Sequence, residues 1–100
     1  MIRGTTPEHK FTIPFDTALV DKVKIIYAQD DVVVFEKETA DCVLDGMTVT
    51  TRLTQEDTLK LDHKKAVQIQ LRILTTGGQA LASIIEKVGV SQLLDDEVLV

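Results

Sequence analysis

One hundred residues suffice for one domain with a modest core, and a composition that is 44% apolar and 27% charged belongs to a folding globular chain. Eleven basic against sixteen acidic residues leave a formal charge of -5. That charge repels phosphate backbones and anionic lipid surfaces, so neither nucleic acid nor membrane is expected as a partner. The single cysteine, Cys42, has no partner for an intramolecular disulfide, which fits a reducing compartment.

The first ten residues read as a polar arm. Met1–Pro7 lacks the continuous apolar segment of a secretory signal, and charged or polar residues interrupt every apolar run along the chain. Phe11, Ile13 and Phe15 alternate with Thr12 and Pro14, which predicts a short edge strand where a proline does least harm. Lys22–Gln29 and Val32–Lys37 flank Asp30-Asp31 as a second hairpin signal. Both runs carry apolar residues on each face, so the pattern leaves their register open.

Ala40–Leu44 and Met47–Leu53 enclose Asp45-Gly46, a dipeptide suited to a type I′ loop. A two-residue loop there sets Leu44 opposite Met47 and Cys42 opposite Val49 on one face, with Thr48, Thr50 and Arg52 on the other. Thr54 followed by Asp57 is an N-cap pattern and predicts one helical turn near Thr54–Thr58 within a crossover from Leu53 to Leu61. From Ala66 to Leu74 the alternation is strict, with Val67, Ile69, Leu71 and Ile73 apart from Gln68, Gln70 and Arg72. Thr75-Thr76-Gly77-Gly78-Gln79 follows as a tight turn.

Gln79–Val90 matches both periods. Leu81, Ile84, Ile85 and Val88 suit a helix, whereas Ala80, Ala82, Ile84, Val88 and Val90 suit a strand; the preceding glycine turn favours a returning strand. Residues 92–100 form an acidic tail with apolar ends, either a mobile segment or a docking strand.

These elements predict an all-β domain over residues 1–100, an immunoglobulin-like sandwich of about seven strands. The crossover occupies the place of the E to F connection, with Asp57 where such loops often carry an aspartate. The tyrosine corner and paired cysteines of antibody domains are missing.

No residue is assigned to catalysis, cofactor or metal. A Cys42 nucleophile would need His9 or His63 as its base, yet Cys42 falls on the inward face as a small hydrophobe, and neither histidine has metal-ligand spacing. Asp30-Asp31 reads as turn chemistry, Glu56-Asp57 as a helix start and Asp95-Asp96-Glu97 as a solvated tail. Gly77-Gly78 lacks the lysine of a phosphate loop. The basic clusters, Lys22 with Lys24 and Lys60 with Lys64 and Lys65, read as solvated surface without stacking aromatics.

At Val23–Gln29, Leu53–Leu59 and Val67–Gly78 the chain resembles small uncharacterised phage and prophage proteins of Gram-positive bacteria. More loosely it is similar to the N-terminal sandwich domain of phage baseplate proteins, in which a strand, a crossover rich in leucine and threonine, and a strand ending in a glycine turn succeed one another. The resemblance spans about Thr6 to Leu99 and implies a structural role in tail, neck or baseplate through self-association or contact with other virion proteins. It implies residence in the bacterial cytoplasm during assembly and then in the virion, and it carries no site residues. The other reading is a binding module that recognises a carbohydrate or host-surface ligand through its loops, which requires exposed aromatics at one loop end.

Overall fold

The computed structural model describes residues 1–100. In chain order the strands are β1 (Glu8–Thr12), β2 (Val20–Gln29), β3 (Val32–Glu38), β4 (Cys42–Asp45), β5 (Thr48–Arg52), β6 (Val67–Thr75), β7 (Ala80–Ala82) and β8 (Glu86–Val88), with one helical turn, α1 (Gln55–Leu59), before β6. They form two antiparallel sheets. One has the order β1-β5-β4, the other β3-β2-β6-β7, with β8 also paired to β6. No helix is long and apolar enough to cross a membrane.

The β2–β6 ladder is the spine of the larger sheet. Val23 pairs with Ile73, Ile25 with Leu71 and Tyr27 with Ile69, and all six side chains are buried between the sheets. The smaller sheet turns Val49 and Thr51 inward against them, and Ile13, Leu53 and Leu61 close the cluster from the connections. Each fully buried aliphatic contributes about 1.5–3 kcal/mol relative to exposure.

Read as B-E-D against C′-C-F-G, the two strand orders follow the immunoglobulin arrangement without strand A. The predicted crossover does pass from one sheet to the other, between β5 and β6. Its capping box is complete: the Asp57 N–H donates to Thr54 Oγ1 at 3.0 Å, and the Thr54 N–H donates to Asp57 Oδ2 at 2.9 Å. Farther along, the buried Gln29 amide donates to the Asp62 and Lys65 carbonyls at 2.8 and 3.0 Å and accepts from the Asp62 N–H at 2.9 Å. These bonds fix the approach to β6.

Several boundaries differ from the sequence reading. β1 begins at Glu8 and ends at Thr12, because Ile13 leaves the ladder after donating to the Met47 carbonyl. Thr39–Asp41 forms a 3-10 turn before β4, so Ala40 is not in the strand. The β4–β5 loop is Gly46-Met47, with Asp45 opposite Thr48, Leu44 opposite Val49 and Cys42 opposite Thr51. The slip is two residues, so Cys42, Leu44 and Val49 keep their expected face, whereas Met47, expected opposite Leu44, lies exposed in the loop. Gly46, at φ 56, takes the first central position, and Met47 keeps negative φ, the pattern of a type II′ loop.

The type I′ geometry occurs instead at Asp30-Asp31, with φ of 50 and 62, in the loop closed by Gln29 opposite Val32. Gln68 steadies it, accepting from the Asp31 N–H and donating to Asp31 Oδ1, each at 2.8 Å. The open register of this hairpin has a physical cause. Val34 is an extra residue between Val33, opposite Ala28, and Phe35, opposite Tyr27. A bulge turns successive apolar residues to different sides and breaks the period.

Within Gln79–Val90 only Ala80–Ala82 and Glu86–Val88 are strand, and no part is helix. Ala82 pairs with Arg72 and Glu86 with Ile69, so Ile84 and Ile85 together face the single residue Gln70. The division makes eight strands where about seven are predicted. Ser83 anchors the break, its hydroxyl oxygen accepting from the Leu71 N–H at 3.0 Å and its own N–H donating to the Leu71 carbonyl at 2.8 Å.

The segment read as an arm is tied down by hydrogen bonds. The Met1 ammonium donates to the Gly89 carbonyl, the Ser91 N–H to the Met1 carbonyl and the Arg3 N–H to the Ser91 carbonyl, around a parallel bridge between Ile2 and Ser91. In the tail, Asp96 pairs with Arg3 at 2.9 Å, and the Gln55 amide brackets the Leu99 backbone with two bonds of 2.7 Å.

Of the two adjacent glycines after β6, only Gly78 has positive φ, at 84, and an added Cβ there would meet nothing within 4 Å. Gly78→Ala is expected to cost about 1–2 kcal/mol from backbone strain alone. Gly77→Ala should stay within about 0.5 kcal/mol of the parent. Urea midpoints of the two variants check this, and equal losses would contradict it.

Candidate interaction surface

Between the layers, the fully buried Tyr27 ring stacks on Phe35 at 4.5 Å and on His9 at 5.6 Å between centroids. Its hydroxyl lies 2.7 Å from His9 Nδ1. Burial, then the nearby Cys42 and Asp57, push the phenol well above its usual range. Burial, then the N-terminal ammonium, push the imidazole below its ordinary 6.5. Both rings are therefore neutral at pH 7, and their hydrogen bond ties β1 to β2 across the interior.

Cys42 lies on the same row, since Thr51 is opposite it on one side and opposite His9 on the other. Two strand spacings put the cysteine and histidine backbones about 10 Å apart, with Thr51 between them. Burial raises the thiol pKa, and Asp41 raises it further against lowering by Thr51 and Lys37. A depressed imidazole and a raised thiol are the opposite of a thiolate–imidazolium pair. His63 is half-buried in the loop before β6, remote in sequence from this row.

The acidic pairs separate into distinct structural roles. Asp57 is buried, and its carboxylate meets the Lys37 ammonium of β3. Burial raises its pKa, but the hydrogen bond from Lys37, the Thr54 backbone and the Lys37 charge outweigh that and hold it below 3.8. This ion pair joins the crossover to the larger sheet. Asp30 pairs with Lys65 at 3.1 Å at the surface, and Glu36 with Lys24 at 3.2 Å. No three or more His, Cys, Asp and Glu side chains are grouped to hold a metal ion.

What the fold exposes is sheet edge. The Leu53 N–H donates to the Pro7 carbonyl and the Ile13 N–H to the Met47 carbonyl, which sets the alternation along β1. His9 and Phe11 therefore turn their backbone groups toward β5, and Glu8, Lys10 and Thr12 turn theirs outward with no strand beyond. β3 and β4 are also terminal strands, where Val32, Val33 and Val43 are 66%, 52% and 67% exposed.

Between β1 and β7 the layers do not close. A groove of about 600 Å³ runs there, with Ile13, Leu71 and Ile73 at its floor, Phe11, Phe15 and Leu81 half-buried along it, and Lys10 and Glu86 among its lining. Beside it the bulge presents Ile84 and Ile85, 77% and 51% exposed. Sequence reasoning assigned no residue to this region; the double periodicity of Gln79–Val90 was the signal of the bulge, and the groove follows only from the vacant strand A position. No family model, curated protein or solved structure matches the chain.

Removing one partner of the Lys37–Asp57 pair strands a charge: Asp57→Ala is expected to lose about 3 kcal/mol, against about 1 kcal/mol for Thr54→Ala. Because the folded Asp57 pKa is depressed, its contribution holds above the unfolded carboxylate pKa and is lost as pH falls through the folded one. Chemical denaturation from pH 6 to 2 measures both effects. A depressed His9 pKa acts in a different window: stability should decline as pH falls from its ordinary 6.5 toward the folded value, because the unfolded chain takes the proton first. His9→Gln, with no proton to gain, should remove that part of the slope between pH 7 and 5. An unchanged slope would assign the acid loss to other groups.

Proposed function

We propose that the chain is a non-enzymatic structural component that works by protein–protein association, and that its setting is the tail, neck or baseplate of a phage or prophage virion. The observation that carries association is the set of open, partly apolar edges: β1 with outward backbone groups, β3 with exposed valines and the Ile84–Ile85 bulge beside an uncovered groove. Unpaired strand edges are templates for a neighbouring chain, and exposed aliphatic groups add the desolvation that such pairing needs. Support for the virion setting is the resemblance at Val23–Gln29, Leu53–Leu59 and Val67–Gly78.

The electrostatics favour a structural role. The neutral His9–Tyr27 pair and the protonated Cys42 bind the layers together, and the Lys37–Asp57 pair secures the crossover. A loop-end carbohydrate site calls for exposed aromatic faces. Here Tyr27 and Phe35 are buried, and Phe11 and Phe15 are half-buried along the groove.

Light scattering coupled to size-exclusion chromatography, run from micromolar to millimolar chain, tests association. A mass that rises with concentration to a defined oligomer is expected. A constant 11.1 kDa species across the range would remove self-association as the activity.

A further inference from the structure

We infer that the groove between β1 and β7 is the contact face of a two-fold dimer of this chain, in which the Ile84–Ile85 bulge of each copy covers the groove of the other. The inference rests on the association reading and names its edge and its partner.

Along this groove the interior reaches the surface. Buried Ile13, Leu71 and Ile73 form the floor, and Phe11, Phe15 and Leu81 are only half covered. In an immunoglobulin-type sandwich strand A shields this side; here the terminal residues supply only the Ile2–Ser91 bridge beyond the end of β8. An apolar opening of this kind calls for apolar cover. The bulge beside it is the complementary shape: Ile84 and Ile85 project from the strand because two residues share one opposite position.

Charge selects a second copy as the occupant. Lys10 on the β1 side and Glu86 on the β8 side line the same groove, and neither belongs to an ion pair within the chain. A two-fold axis along the groove lays the β7–β8 lip of each copy over the β1 lip of the other. The same operation brings Lys10 to the partner's Glu86 twice. A self-complementary patch of this type defines an isologous interface. A foreign segment would have to present an acid, a base and a branched apolar pair in matching order, whereas the chain's own face carries all three. The two lip charges cancel, so the patch avoids the repulsion that the overall charge of -5 imposes elsewhere.

Charge reversal tests this on the full chain, with sedimentation equilibrium as the readout and circular dichroism confirming the fold. Both positions are exposed, so the variants should fold. Lys10→Glu and Glu86→Lys are each expected to weaken dimerisation at least about tenfold, since each sets two like charges together, and the double variant should recover most of that loss. Ile84→Asp should abolish the dimer. If the parent associates but the single reversals change the dissociation constant less than twofold, or the double variant does not recover, the groove interface is wrong and association through another edge stands. A parent that stays monomeric to millimolar concentration overturns both readings.

Discussion

Everything in this fold depends on the register between β2 and β6. Val23, Ile25 and Tyr27 meet Ile73, Leu71 and Ile69 on one face, and a slip of one residue would set the three of one strand on the face opposite the three of the other. Once that face is set, the smaller sheet has somewhere to pack, the crossover must pass from one layer to the other, and β3 and β7 are left to extend the larger sheet on either side. Buried polar groups then lock the arrangement. Gln29 satisfies three backbone groups of the loop before β6, and Asp57 serves the capping box and the Lys37 ammonium together. Burying such groups is tolerable because each meets its partners.

One row across the smaller sheet carries the groups of greatest chemical interest. His9, Thr51 and Cys42 lie across three neighbouring strands, with Tyr27 under them from the opposite sheet. Residue types that would suggest nucleophilic chemistry in a list are here held in their neutral forms by burial. Environment decides their role. A cysteine and a histidine act together only when the site favours the charged pair, and this interior disfavours both charged partners.

Much of the architecture is legible in the sequence because two signals agree at each such place. The alternation of Val67–Leu74 and the turn residues after it specify β6 and the return that follows. The Thr54–Asp57 spacing specifies α1 down to its cap. Faces survived even where pairing did not: the Asp45-Gly46 loop is displaced to Gly46-Met47, yet an even slip keeps Cys42, Leu44 and Val49 on their expected face. The failures share a cause. Bulges at Val34 and at Ile84-Ile85 insert one residue into a period of two, so the pattern in those windows is a mixture that no single period describes. Local turn chemistry was also exchanged: Asp30-Asp31 adopts the left-handed pair expected for a glycine loop because Gln68 from β6 holds it. The groove was illegible for a different reason, since it is a strand position that stays empty, and an empty position leaves no residues to read.

The bridge between Ile2 and Ser91 bears on mechanics. Met1–Arg3 runs parallel to Gly89–Ser91, linked by bonds from Met1 to Gly89, from Ser91 to Met1 and from Arg3 to Ser91. Tension applied between the two chain ends pulls these parallel segments past each other lengthwise, so the three bonds are strained together and not peeled one after another. In this geometry a load between the ends is shared by all three bonds.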